Sequence, residues 1–110
     1  MITIIETQQF IGKTDKVMSA AEKDELIDFI ARNPKEGDVI SGTGGVRKLR
    51  FAIQGKGRRG GLRVIYYYYD ERNPVLLLTV FGKNEKSDLT GKEKNILYEI
   101  VQDIKKEMKP

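Results

Sequence analysis

The chain has no cysteine, no histidine and no tryptophan. Without cysteine there is no disulfide framework, no thiolate ligand and no thiol nucleophile, and a reducing cytoplasm is the expected home. Without histidine, the side chain that most often serves as general base near neutral pH is missing, and the commonest zinc ligand with it. Any chemistry must run on Lys, Arg, Tyr, Asp or Glu. Proline occurs only three times, which argues against a disordered tail. No apolar run reaches the length of about eighteen residues that a membrane helix needs, and the N-terminus lacks the basic-then-apolar order of a signal peptide, so neither spanning nor secretion is expected.

What is present fits one folded domain over residues 1–110, with 39% hydrophobic and 33% charged residues and a core limited by the short chain. The net charge of +4 is unevenly carried. Between Asp38 and Asp70 lie Arg47, Lys48, Arg50, Lys56, Arg58, Arg59 and Arg63, with no acidic residue among them. The remainder holds thirteen basic against sixteen acidic residues. A cationic segment on an otherwise acidic body is what a phosphate-binding protein requires; it is equally compatible with a solvated face that keeps the protein soluble.

Hydrophobic periodicity gives the element order. Ile2–Ile5 suits a first strand, and the stripe of Phe10, Ile11, Val17 and Met18 a helix from Thr7 to about Val17. Ser19 and Glu22 form a capping box that opens a second helix with Leu26, Ile27, Phe29 and Ile30 on its apolar face, and Asn33-Pro34 ends it. A Gly-rich turn region runs from Pro34 to Gly45. Val46–Ile53 alternates, with Leu49, Phe51 and Ile53 on one side and Lys48 and Arg50 on the other. Leu62–Tyr69 is a strand with Arg63, Ile65 and Tyr67 on one face, and Val75–Phe81 is apolar enough for a central strand covered on both faces. Thr90 and Glu93 form a second capping box, opening a C-terminal helix with a stripe of Ile96, Leu97, Ile100, Val101 and Ile104. The order implies an α+β fold: two N-terminal helices on a mostly antiparallel sheet and a C-terminal helix, with all helices on one sheet face and the other partly open. Lys48, Arg50 and Arg63 would converge on that open face, unless an Asp or Glu from a helix neutralises them there.

Two motifs need weighing. Gly55-Lys56-Gly57-Arg58-Arg59-Gly60 spells a dinucleotide fingerprint, but that fingerprint must open a helix whose N-terminus holds the pyrophosphate, and here a Tyr-rich strand follows. Gly61 in place of lysine also excludes a Walker loop. A cationic loop tracking a nucleic-acid backbone fits this stretch better; for Gly42-Thr43-Gly44-Gly45 such a loop and a plain tight connection fit equally well. In the run Tyr66–Tyr69, alternate rings face opposite sides, so Tyr67 and Tyr69 either stack on bases or pack in the core.

Asn33-Pro34 with Gly37-Asp38-Val39-Ile40, GTGGVRKLR at 42–50, GKGRRGGLRVIYYYYD at 55–70 and FGKNEKSDLT at 81–90 together resemble the RelE/HigB superfamily of toxins from bacterial type II toxin–antitoxin systems, most closely its HigB-2 branch. The resemblance spans nearly the whole chain. It implies a cytoplasmic, ribosome-dependent mRNA endonuclease (an mRNA interferase) that inhibits translation. Its partners would be the ribosome with its mRNA and a cognate antitoxin, usually a helix-turn-helix protein, with DNA met only through the antitoxin complex. No membrane, cofactor or metal is implied. By position, the resemblance places the catalytic set on Lys48, Arg50, Arg63 and Lys83, and RNA-binding roles on Arg47, Lys56, Arg58, Arg59, Tyr67, Asn84 and Lys86. Asn84 stands where the best-known members have arginine and Thr90 where they have a base-stacking tyrosine; Tyr67, Lys56 or Arg58 would substitute. The implied reaction is transesterification by the RNA's own 2′-hydroxyl. Arg63 is suited to hold the phosphate and a lysine, Lys48 or else Lys56, to move a proton, since arginine stays charged. A non-catalytic member of the same fold, acting on DNA gyrase as ParE toxins do or only binding RNA, is the alternative.

Overall fold

The computed structural model describes residues 2–52, 61–82, 85–86 and 88–108. The elements are β1 (Ile4–Glu6), α1 (Gln8–Val17), α2 (Ala20–Arg32), β2 (Asp38–Val39), β3 (Val46–Phe51), β4 (Leu62–Tyr67), β5 (Val75–Gly82) and α3 (Gly91–Glu107). They build a mixed five-stranded sheet in the order β1-β5-β4-β3-β2, parallel between β1 and β5 and antiparallel elsewhere. The α+β class expected from the sequence is observed.

Local chemistry sets the helix starts. Thr7 caps α1 by accepting from the Phe10 N–H, and its hydroxyl lies 2.8 Å from the Leu77 carbonyl, which ties the helix start to β5. Both capping boxes form: Ser19 with Glu22 for α2, and Thr90 with Glu93 for α3. Each satisfies two backbone N–H groups that helix geometry leaves without an internal partner. At Asn33 the backbone leaves the helical region ahead of Pro34, as the proline ring requires.

The helices lie on both faces of the sheet, which corrects the expectation of a single helical layer. On one face α1 and α2 bury Phe10, Leu26 and Ile30 against Leu49, Leu62, Val64, Tyr66, Val75, Leu77 and Val80. On the other, α3 buries Leu97 and Val101 against Val46, Ile65, Tyr67, Leu78 and Phe81. An amphipathic stripe says that a helix covers a sheet, not which side it takes. The stripe of α3 is also only half used, because Ile96 and Ile100 stay exposed.

A one-residue offset between β4 and β5 decides which side chains meet. Ile65 pairs with Thr79 but Tyr66 with Leu77, so Leu78 is an extra residue. Strict alternation from Val75 would send Phe81 toward α1 and α2. The offset, a β-bulge, instead turns Phe81 to the α3 side, opposite Arg63.

The turn region before β3 is fastened from the α2 side. The Tyr66 hydroxyl donates to the Pro34 carbonyl (2.8 Å) and accepts from the Gly37 N–H (2.9 Å). A Cβ at Gly37 would meet that hydroxyl at 2.8 Å, so only glycine lets the backbone come this close. Burial pushes the Tyr66 phenol above its ordinary value and keeps the group a neutral donor. At the start of β4, Gly61 takes φ +63°, where a Cβ would lie 2.5 Å from the Phe51 carbonyl oxygen.

Candidate active site

Register brings the basic residues together. Along β3, Val46, Lys48 and Arg50 share one face; across β4 they oppose Tyr67, Ile65 and Arg63. The α3 face therefore runs from buried Val46 and Tyr67 through Lys48 and Ile65 to Arg50 and Arg63. Two arginines stand directly opposite each other, with Cβ atoms about 4.5–5.5 Å apart in such a pair. Phe81 lies beside Arg63 on β5, and the Lys86 ammonium sits 5.1 Å from the centre of its ring, within cation–π range. Lys48, Arg50, Arg63 and Lys86 thus gather at the end of the face that α3 leaves uncovered.

Carboxylates are interleaved with them, as the alternative of acidic neutralisation allowed. Lys48 Nζ donates to Asp88 Oδ1 at 3.2 Å. The same oxygen accepts from the Leu89 N–H at 2.8 Å. That backbone hydrogen bond, and after it the Lys48 ammonium, hold the Asp88 carboxyl below its ordinary range. Asp38 on β2 lies opposite Lys48 in the register. Glu93 serves two groups: Oε1 accepts from the Thr90 N–H in the capping box, and Oε2 pairs with Lys86. The Lys86 pairing, with the Thr90 N–H second, holds the Glu93 carboxyl low. Sequence reasoning did not single out Asp88, because it is forty positions from Lys48, a separation with no local signal.

Two expected contacts are not brought to this surface. Arg47 lies on the opposite face of β3, where its Nη1 donates to the carbonyls of Lys35 (3.1 Å) and Gly37 (2.7 Å); it fastens the turn that Tyr66 also holds. Tyr67 shares the face of Arg63 but is only 2% exposed, packed in the cluster that includes Leu97 and Val101. Burial raises its phenol above the ordinary value, and its ring has no free side for a base. Thr90 is committed to capping α3, so it offers no stacking group either. Lys56, Arg58, Arg59, Lys83 and Asn84 lie outside the described residues.

The fold and this surface define a small α+β domain with basic side chains gathered at one end of a sheet face. A protein-family model described as the RelE toxin of the RelE/RelB toxin–antitoxin system matches residues 7–109. The chain belongs to that family, and so is a toxin with an antitoxin partner. Among the described residues, no helix is long and apolar enough to cross a membrane.

Proposed function

We propose that this toxin, of the HigB-2 type, is an endoribonuclease that cuts ribosome-bound mRNA and so stops translation, while a helix-turn-helix antitoxin restrains it in the cytoplasm. The observation that carries the reading is the Arg50–Arg63 pair in direct register, flanked by Lys48 and Lys86. Guanidinium and ammonium groups brought from neighbouring strands onto one patch match phosphate oxygens, the guanidinium as a planar fork and the ammonium as a point charge.

The reaction needs no nucleophile from the protein. The 2′-hydroxyl loses its proton and its oxygen attacks the adjacent phosphorus. The bond from phosphorus to the 5′-oxygen breaks, that oxygen takes up a proton, and the products are a 2′,3′-cyclic phosphate and a 5′-hydroxyl end. Arg63, with Arg50 opposite, matches two phosphate oxygens with a planar guanidinium and stabilises the charge that builds on the pentavalent phosphorus. The Lys48 ammonium, protonated beside Asp88, gives its proton to the departing 5′-oxygen while water takes the proton of the 2′-hydroxyl, and Lys83 shares the phosphate. Without a histidine the acid–base chemistry is poorly tuned to neutral pH, so the ribosome supplies the missing rate by holding the message in an in-line geometry.

Purified toxin added to translating ribosomes should yield cleaved mRNA bearing cyclic-phosphate ends. Intact message, with a DNA-damage response on expression in cells, would replace the nuclease with a gyrase-directed toxin.

A further inference from the structure

Lys48 is a flexible four-carbon stem ending in a compact charge, unlike the planar guanidinium groups of Arg50 and Arg63. Its ion pair to Asp88 is therefore informative about which partner is fixed. Asp88 Oδ1 is held by the N–H of the next residue, Leu89. Leu89 is itself buried in the core beneath α3, and Thr90 then caps that helix. The carboxylate is thus set by its own backbone and by the packing of α3, independently of Lys48, while the lysine stem adapts to it.

We infer that Asp88 is a positioning residue: it pins the Lys48 ammonium at the border between the buried end of the α3 face and the Arg50–Arg63 pair, ready to meet the phosphate. The inference rests on the nuclease reading and adds a residue to it. One of the three ammonium N–H groups goes to Asp88 and two remain for substrate oxygens. Asp38 on β2 is paired directly with the same lysine, but the hydrogen bond goes to Asp88. Stabilisation alone is a weak explanation for the pair, because Asp88 is exposed and exposed ion pairs contribute little.

The test is a ribosome-dependent cleavage assay on the full chain with Asp88→Ala, Asp88→Asn, Asp88→Glu, Asp38→Ala, Lys48→Ala and the Lys48→Ala/Asp88→Ala double variant, each first shown to melt cooperatively. Asp88→Asn keeps an acceptor for the Leu89 N–H and carries the test if the alanine variant does not fold. Misplacing a reacting group by about 1 Å can cost up to about a hundredfold, so Asp88→Ala and Asp88→Asn should lower kcat about ten- to a hundredfold. KM for the ribosome should stay within about twofold, Asp88→Glu should restore part of the rate, and Asp38→Ala should have no effect. The double variant should be no slower than Lys48→Ala alone, because residues that act as a unit are not additive. If the wild type cuts while Asp88→Asn cuts equally fast, if the two losses multiply in the double variant, or if Asp38→Ala slows the reaction as much, the positioning role is overturned and the nuclease stands. If the wild type leaves the message intact, the nuclease reading falls and this inference with it.

Discussion

The two faces of the sheet are built from the same three strands and serve opposite ends. Toward α1 and α2, the alternate residues of β3, β4 and β5 are apolar or, like Tyr66, internally hydrogen-bonded, and their packing encloses Phe10, Leu26 and Ile30 completely. Toward α3, the same alternation starts apolar at Val46 and Tyr67 and ends cationic at Arg50 and Arg63. The first face spends its side chains on stability. The second divides them, covering one half with a helix and leaving charge on the other. A single residue's offset between β4 and β5 joins the two plans by handing Phe81 to the charged side.

This contrast is breakable, and the largest effect should come from the enclosed face. Leu26→Ala removes a fully buried side chain and should cost about 2–5 kcal/mol in urea unfolding, with the cationic surface unaltered. On the other face the effect should move from stability to activity. Arg63→Ala should lower cleavage about 10²–10³-fold, the scale of losing one charge-stabilising group, and abolish growth arrest. It should still unfold cooperatively in urea; an unfolded variant would place Arg63 in the structural half. Tyr66→Phe sharpens the boundary by removing only the hydroxyl, leaving the Gly37 N–H and Pro34 carbonyl without it. It should cost about 1–3 kcal/mol in the same urea experiment and spare cleavage.

The smallest effect is electrostatic and belongs to the α3 side. Asp88 and Glu93 both titrate below their ordinary values of 3.8 and 4.5. A depressed carboxyl contributes stability above its unfolded value and loses it as pH falls through the lower folded one. Thermal melting should therefore be flat from neutrality to about pH 5 and weaken below about pH 4. Both groups are solvent-screened, so the effect should be slight and shrink further in high salt.

Much of this was legible in the chain because it is local. The Ser19–Glu22 and Thr90–Glu93 boxes are readable as short motifs, and each starts a helix where expected. The alternation in 46–51 correctly puts Lys48 and Arg50 on one side, and that in 62–67 puts Arg63 with Tyr67. What escaped depends on distant partners. The two-residue strand β2 exists only through its pairing with β3. The offset at Leu78 is set by the match between two strands, and the sheet face chosen by α3 is absent from its own stripe. That choice buries Tyr67, which strand periodicity alone leaves open to solvent. The carboxylate against Lys48 is invisible for the same reason, since nothing near Asp88 in sequence refers to β3.

Glu93 carries this long-range logic into a single carboxyl group. One oxygen starts a helix and the other restrains a lysine, so any drift at this position changes the protein's rigidity and its surface potential in the same step. Exchange to glutamine separates the two: the amide oxygen can still cap the helix while its NH₂ turns a donor toward an ammonium that needs an acceptor. The duties of position 93 are thus divisible by one atom, and a family lineage that changes this residue must find another way to quiet Lys86.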